Sequence, residues 1–145
     1  MNNQESIGRL AAIINRYSQV HINDELKKYN IGIGQIYFLK KLNDKDGINQ
    51  EHLAESLFFS KATSTRAIKK LELEGYVIRK KDNTDKRAYN VFITAKGKKL
   101  MHIFKNISSG WTDILLSGFT ENERELLIDF LKKTIENASA NKEKF

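Results

Sequence analysis

The 145-residue sequence predicts a mainly α-helical chain with one small β-hairpin. Three observations carry that expectation. Apolar residues recur at steps of three and four through most of the chain. Proline is absent, so no helix is interrupted by a missing N–H. Two short runs only, 76–81 and 88–93, are rich in β-branched and aromatic residues, and a string of turn formers separates them.

Taken in order, residues 4–28 place Ile7, Leu10, Ile14, Tyr17 and His21 on one stripe with Ile13 and Val20 beside it, which predicts a long first helix with a wide buried face. Ile36, Leu39 and Leu42, flanked by Tyr37 and Phe38, form a short second helix between Ile31-Gly32-Ile33-Gly34 and the turn string Asn43-Asp44-Lys45-Asp46-Gly47. Asn49 can cap a third, with Ile48 and Leu53 as a hydrophobic staple and Leu53, Ala54 and Leu57 inside, ending near Phe58-Phe59. Ser60 can cap a fourth, closed by Gly75, whose inner face is Ser64, Ala67, Ile68 and Leu71. Its outer face groups Lys61, Thr63, Thr65, Arg66, Lys69 and Lys70.

Two short helices joined by three or four residues, the second small-sided within and basic without, fit a helix-turn-helix. The two β-rich runs follow directly, joined by Asp82-Asn83-Thr84-Asp85-Lys86-Arg87, with Tyr89, Val91 and Ile93 alternating onto one face. A helix-turn-helix followed by a basic hairpin is a winged helix-turn-helix. Thr94 opens a long fifth helix with Leu100, Phe104, Ile107, Trp111 and Leu115 on its inner face, running to about Ser117-Gly118. Thr120-Glu121-Asn122-Glu123 then reads as a capping box for a last helix with Leu127, Phe130, Leu131, Thr134 and Ile135 inside, before a polar tail over 139–145.

The charge pattern agrees with the hairpin and the helix before it. The chain carries +7, yet residues 60–99 hold twelve Lys or Arg against four acids, so the whole excess sits in one internal block. A local +8 in an otherwise near-neutral chain is the footprint of a polyanion-binding module, unless it is simply a solvated face. Lys80 and Lys81, Lys86 and Arg87 place cations along the wing, next to those of the fourth helix.

In this order and spacing, Leu53-Ala54, Thr65-Arg66, Ile68, Leu71-Glu72, Gly75-Tyr76-Val77, Arg79, Asp85-Lys86-Arg87, Ile93-Thr94 and Gly97 resemble the MarR family of transcriptional regulators over almost the whole chain. The resemblance implies a single MarR-type domain over 1–145, in which segments 1–30 and 100–140 dimerise and 34–99 form the winged helix-turn-helix. It implies a homodimer, a pseudo-palindromic double-stranded DNA operator, repression, and release by a small effector, often an aromatic acid or other phenolic compound, bound between the dimerising and DNA-binding parts. Carried over residue by residue, Ser60, Lys61, Thr63, Thr65, Arg66, Lys69 and Lys70 face bases or flanking phosphates. Lys86 and either Lys80 or Lys81 meet phosphates, and Arg87 enters the minor groove, held by a charge-assisted bond to Asp85. The wing tip departs from a common family pattern, since Asn83-Thr84 stand where more basic residues are usual.

Other classes find little in the sequence. The absence of cysteine excludes disulfides, Cys-ligated zinc, iron–sulfur clusters and a thiol nucleophile or oxidation switch. No phosphate-binding Gly loop, Ser/His/Asp arrangement or paired carboxylates point to an enzyme, and no cofactor motif is present. His21, His52 and His102 lie on three different predicted helices without an i, i+4 partner, so no metal site is assigned. Trp111, Tyr17, Tyr37 and Phe38 either fill the core or line an effector pocket; periodicity alone does not separate the two. The N-terminal Met1-Asn2-Asn3-Gln4-Glu5 lacks a signal-peptide pattern, and no apolar run approaches the roughly 20 residues of a membrane span, which gives an expected cytoplasmic location and no membrane partner. The competing reading is a winged helix used for protein contacts or non-specific nucleic-acid binding, without ligand response.

Overall fold

The structure is a computed structural model and describes residues 5–142. Gln4, where the first helix was expected to begin, and the tail residues 143–145 lie outside the described residues. The elements run α1 (Ile7–Leu26), a 3-10 turn (Lys27–Tyr29), α2 (Ile33–Asp44), β1 (Ile48–Asn49), α3 (Gln50–Ser56), α4 (Lys61–Leu73), β2 (Val77–Lys81), β3 (Tyr89–Ile93), α5 (Ala95–Leu115) and α6 (Glu121–Lys142). The order is that of the sequence reading, with β1 and the 3-10 turn added. The chain divides into two compact units, one reaching Ser109 and the other starting at Gly110.

The first unit holds the core. Ile22 and Leu26 of α1, Ile36, Phe38, Leu39 and Leu42 of α2, Leu53 of α3, and Ala67, Ile68 and Leu71 of α4 pack together. Val77, Val91 and Ile93 of the sheet and Leu100, Met101 and Phe104 of α5 complete it. Leu39, Leu42, Leu53, Ile68 and Leu71 are fully shielded, and each such side chain contributes about 1.5–3 kcal/mol relative to exposure.

Helix ends follow from short-range chemistry. Asn23 accepts the Ile33 N–H at 2.7 Å, and the Gln35 side chain accepts that of Gly32 at 2.8 Å, so α2 starts with two orphan donors satisfied. At the end of α4, Gly75 sits at φ +81°, its N–H donates to the Glu72 carbonyl and the Tyr76 N–H donates to the Leu71 carbonyl, a Schellman stop. α3 ends the same way: the Phe58 N–H donates to Glu55 and the Phe59 N–H to Ala54, but the left-handed position, φ +58°, holds Phe58 instead of glycine. The Phe58 ring is 80% exposed, while Phe59 stacks on Phe38 at 5.4 Å between centroids.

The sheet has three antiparallel strands in the order β1-β3-β2. Val77 pairs with Ile93 and Lys81 with Tyr89 along the hairpin, and Ile48 and Asn49 pair with Val91 and Asn90. β1 is only two residues long, too short to register as a strand in the sequence. It is anchored by Asp46, whose carboxylate accepts the Ile93 N–H at 2.8 Å.

Where the sheet meets α5, Thr94 does two jobs. Its hydroxyl donates to the Gly75 carbonyl at 2.7 Å and accepts the Gly97 N–H at 3.1 Å, so one side chain ties the end of α4 to the start of α5. Gly97 permits the close approach, because a Cβ there would collide with the Tyr76 carbonyl oxygen and stand 2.7 Å from Ile93 Cγ1 and 3.2 Å from Leu39 Cδ1.

Two expected burials are not met within the chain. Ile7, Leu10, Ile14, Tyr17 and Val20 of α1 are exposed, Tyr17 at 68%, and only the C-terminal end of that helix reaches the core. No residue of α6 is buried; Leu127 is half-buried while Phe130, Leu131 and Ile135 are exposed. On α5, Leu100 and Phe104 are buried as expected, Ile107 and Trp111 are half-buried, and Leu115 is exposed. A periodic stripe shows where apolar surface lies on a helix, not what covers it. Of the aromatics left open by the sequence, Phe38 is core and Tyr37 is exposed.

In the second unit the capping box forms: the Thr120 N–H donates to the Glu123 carboxylate at 3.1 Å, and the Glu123 N–H donates to the Thr120 hydroxyl at 3.2 Å. The bond from the Thr120 backbone, and then that with its side chain, hold the Glu123 carboxyl below its ordinary pKa.

Two outcomes follow for stability. Gly97→Ala is expected to cost about 1–3 kcal/mol through overpacking, read as a lower midpoint in urea unfolding; an unchanged midpoint would contradict the tight approach. Because the folded-state pKa of Glu123 is depressed, its contribution is complete above the unfolded carboxyl pKa and disappears as pH falls through the folded one. Glu123→Gln keeps a capping side chain without a titrating group, so its thermal midpoint should fall less than that of the parent between neutral and acidic pH. Identical pH curves would show that the bond contributes nothing.

Candidate nucleic-acid interface

The site is built on α4. Its inner residues Ser64, Ala67, Ile68 and Leu71 are all buried, Ser64 at 2% exposure, as their spacing predicts. Burial of that face fixes the helix rotation and turns Lys61, Arg66, Lys69 and Lys70 outward, all exposed, with Thr63 and Thr65 half-buried at the margin.

The hydroxyls at the start of α4 are engaged locally. Ser60 Oγ accepts the Thr63 N–H at 3.2 Å and donates to Thr63 Oγ1 at 2.9 Å, and Thr65 Oγ1 donates to the Lys61 carbonyl at 2.8 Å. Ser60 is therefore first a helix cap. Lys61 pairs with Glu51 at 3.4 Å across exposed surface, where such a pair is weak in water, and Lys70 with the half-buried Glu74 at 3.7 Å. Among the described residues, Arg66 and Lys69 have no ion-pair partner, so they are the α4 cations most open to an outside anion.

The wing is organised by two aspartates. Asp85 accepts the main-chain N–H of Arg87 at 3.0 Å, and the Asp85 carbonyl accepts the Ala88 N–H at 3.0 Å. The resemblance implied that Asp85 holds the Arg87 guanidinium; the carboxylate instead shapes the turn that carries Arg87, because it lies nearest the amide two residues on. Asp82 accepts the Thr84 hydroxyl at 3.3 Å, which closes the tip. Lys81, Lys86 and Arg87 are exposed.

Not every cation in the basic block is without a partner in the chain. The Lys96 ammonium donates to the Glu74 carbonyl at 2.6 Å and lies 4.7 Å from the Tyr76 ring. Lys80 lies 5.2 Å from the Phe92 ring of its own hairpin. Arg79 donates through Nε to Glu72 at 3.3 Å while its guanidinium sits 4.8 Å from the Tyr89 ring. Tyr76, whose hydroxyl donates to the Tyr29 carbonyl at 2.7 Å, has its pKa raised by burial and then by the nearby Glu74 carboxylate.

Beneath the wing lies a cleft of about 470 Å³, walled by α3, α4 and the hairpin, with Glu51 and Glu55 on one side and Arg79 and Arg87 on the other. Two buried oxygens that border it, Ser64 Oγ and Gln50 Oε1, have no hydrogen-bond partner among the described residues. Gln50, Arg79 and Tyr89 were not singled out from sequence as lining groups. The signal for Arg79 was its place two residues before Lys81 on the same strand, which puts both on one face. Among the described residues no group of three His, Asp or Glu could hold a metal ion, and no helix is long and apolar enough to cross a membrane.

A helix-turn-helix with an outward basic helix, flanked by a basic antiparallel wing, defines the winged-helix class of proteins. The comparisons with known proteins make the assignment narrower. Residues 32–89 match the MarR family model. The chain is 33% identical over 131 residues to the HTH-type transcriptional regulator YybA of Bacillus subtilis, covering 90% of this chain and 85% of that protein. A MarR transcriptional regulator from Methanosarcina mazei Go1 superposes with a TM-score of 0.85 at 43% identity, over 92% of this chain and 96% of that one. A MarR family transcriptional regulator from Listeria monocytogenes, solved in complex with a 26mer DNA, does so with a TM-score of 0.79 at 33% identity, over 95% and 92%. The chain belongs to the MarR family.

Removal of the α4 cap by Ser60→Ala should cost about 1 kcal/mol of unfolding free energy in urea titration. A loss below about 0.3 kcal/mol would mean that the Ser60–Thr63 pair does not hold the helix start.

Proposed function

We propose that this chain is a sequence-specific DNA-binding repressor that acts as a homodimer on a pseudo-palindromic operator and is released by a small aromatic or phenolic effector. The observation that carries the reading is the rotation of α4. Its buried inner face leaves Arg66 and Lys69 exposed and, among the described residues, without an ion-pair partner, next to a wing with exposed Lys81, Lys86 and Arg87. The solved complex of the 33% identical Listeria protein with a 26mer DNA supports the choice of partner.

In this reading α4 enters the major groove with Lys61, Thr63, Thr65 and Arg66 toward the bases and Ser60, Lys69 and Lys70 toward phosphates. Lys81 and Lys86 meet the backbone, Arg87 enters the minor groove, and Asp85 sets the turn that presents it. Segments 1–30 and 100–140 dimerise, and 34–99 form the DNA-binding part. The exposed Ile7, Leu10, Ile14 and Tyr17 stripe and the exposed Phe130, Leu131 and Ile135 support dimerisation, since apolar faces of this extent are normally covered. A C2 dimer puts two α4 helices about 34 Å apart, one turn of DNA. The cleft beneath the wing is lined by residues 49–89 only, inside the DNA-binding part and not between it and the dimerising segments, and supports an anionic effector to the extent that Arg87 can face its carboxylate.

Selection of purified protein against a pool of random duplexes tests the reading. An inverted repeat with half-site centres about ten base pairs apart is expected, bound by a dimer in light scattering. Affinity should fall with salt by a slope of about −0.9 per phosphate neutralised. Arg87→Ala should weaken binding to the selected duplex about tenfold with an unchanged circular dichroism spectrum. Enrichment of no motif would instead favour a protein-interaction or non-specific nucleic-acid module.

A further inference from the structure

Arg79 is the junction between the two elements assigned to DNA. It stands in the middle of β2, its Nε donating across to Glu72 near the C-terminal end of α4 at 3.3 Å, with its guanidinium 4.8 Å from the Tyr89 ring at the start of β3. In the strand register Arg79 opposes Val91 and Lys81 opposes Tyr89, so Tyr89 lies diagonally from Arg79 on the tip side. One planar cation can hold an acid at one edge and a ring on its face, which lysine cannot do. Farther toward the tip Lys80 turns to Phe92 of the same hairpin and Lys81 is exposed. No hydrogen bond or ion pair between a wing side chain and α4 therefore lies beyond Arg79 among the described residues.

We propose that Glu72, Arg79 and Tyr89 form a clamp that sets the pitch of the wing against α4, making Arg79 a positioning residue for the minor-groove contact of Arg87. The proposal rests on the DNA-binding reading above. The geometry of a lever explains why one clamp matters. Arg87 is four residues from Val91, two of those steps lying in the turn outside β3, so its reach is at most about 13 Å and a tilt of about 15° at the clamp carries it through up to about 3 Å. That is half of a minor groove about 6 Å wide. The hairpin base is fixed by buried Val77, Val91 and Ile93 and by the pairing of β1 with Val91 and Asn90, whereas among the described residues the tip is held by the hydrogen bonds of Asp82 and Asp85 and contains no buried apolar residue. On the α4 side of the hairpin the clamp is thus the outermost side-chain restraint among the described residues, as the pairing of Asn49 with Asn90 is on the β1 side.

The test uses the duplex enriched by the wild-type protein, with guanine N7 methylation to report the major groove and hydroxyl-radical cleavage to report the minor groove. Glu72→Gln and Arg79→Lys are each examined alone and combined with Arg87→Ala. Each single change should lower affinity about tenfold, keep N7 protection, and lose the minor-groove protection flanking it. Adding Arg87→Ala should then cost no more than about a further twofold, because a misplaced wing no longer delivers that arginine. Fully additive losses, an equal fading of both protections, or wild-type behaviour of Arg79→Lys would each overturn the clamp. Should either variant fail to fold, Tyr89→Leu, which keeps the ion pair and removes the ring, carries the same expectations. If the wild-type protein enriches no motif, the DNA-binding reading fails and the clamp with it; an enriched motif with additive variants removes the clamp alone.

Discussion

Everything on the outer surface of the first unit depends on how α4 is seated. Ser64 and Ala67 are small enough to bring the helix close to its neighbours, and Ile68 and Leu71 lock it there by full burial. A helix has one rotational degree of freedom about its axis, and burial of four residues on one stripe removes it. Arg66 and Lys69 face outward for that reason, without an ion pair of their own among the described residues. The capping residues at each end, Ser60 and the Gly75 stop, fix where along the axis those cations stand.

The basic block divides into cations that shape the fold and cations left to meet an anion. Arg79, Lys80 and Lys96 lie against aromatic rings, and two of them also bond to Glu72 or the Glu74 carbonyl. Arg66, Lys69, Lys81, Lys86 and Arg87 are exposed without such partners among the described residues. Net charge over a segment therefore overstates the number of groups offered to DNA. Satisfying part of a basic patch internally also limits like-charge repulsion within it, which would otherwise act against the folded state.

The helices and their caps were legible in the sequence because their causes are local. Asn49 accepts the Glu51 N–H at 2.9 Å, and Thr120 and Glu123 bond reciprocally, each within three residues. The inner face of α4 was legible because its partners are large and its own residues small at the right period. β1 was not, since Ile48 and Asn49 become a strand only through Val91 and Asn90, more than forty positions away. The α1 and α6 stripes were legible as apolar faces, but not what covers them, because periodicity carries no information about the covering surface. In the interface, the exposed residues of α4 and the wing stood where the sequence put them. The roles of Asp85 and Arg79 depended on which atom of a neighbour lies within 3.5 Å, and no spacing rule supplies that.

Phe58 has a consequence for motion. A turn closed by glycine takes up a left-handed backbone at little cost, whereas a bulky side chain there carries about 1–2 kcal/mol of strain. The bend between α3 and α4 is thus not one that the local chain prefers, and its angle is kept by Phe59 stacked on Phe38 of α2. The helix that presents Arg66 is in this sense hinged on α2 and not on its own loop. α2 and α4 also share the buried cluster of Leu39, Leu42, Ile68 and Leu71, so the helix that carries Arg66 is seated by side chains of the core and not by the loop that leads into it.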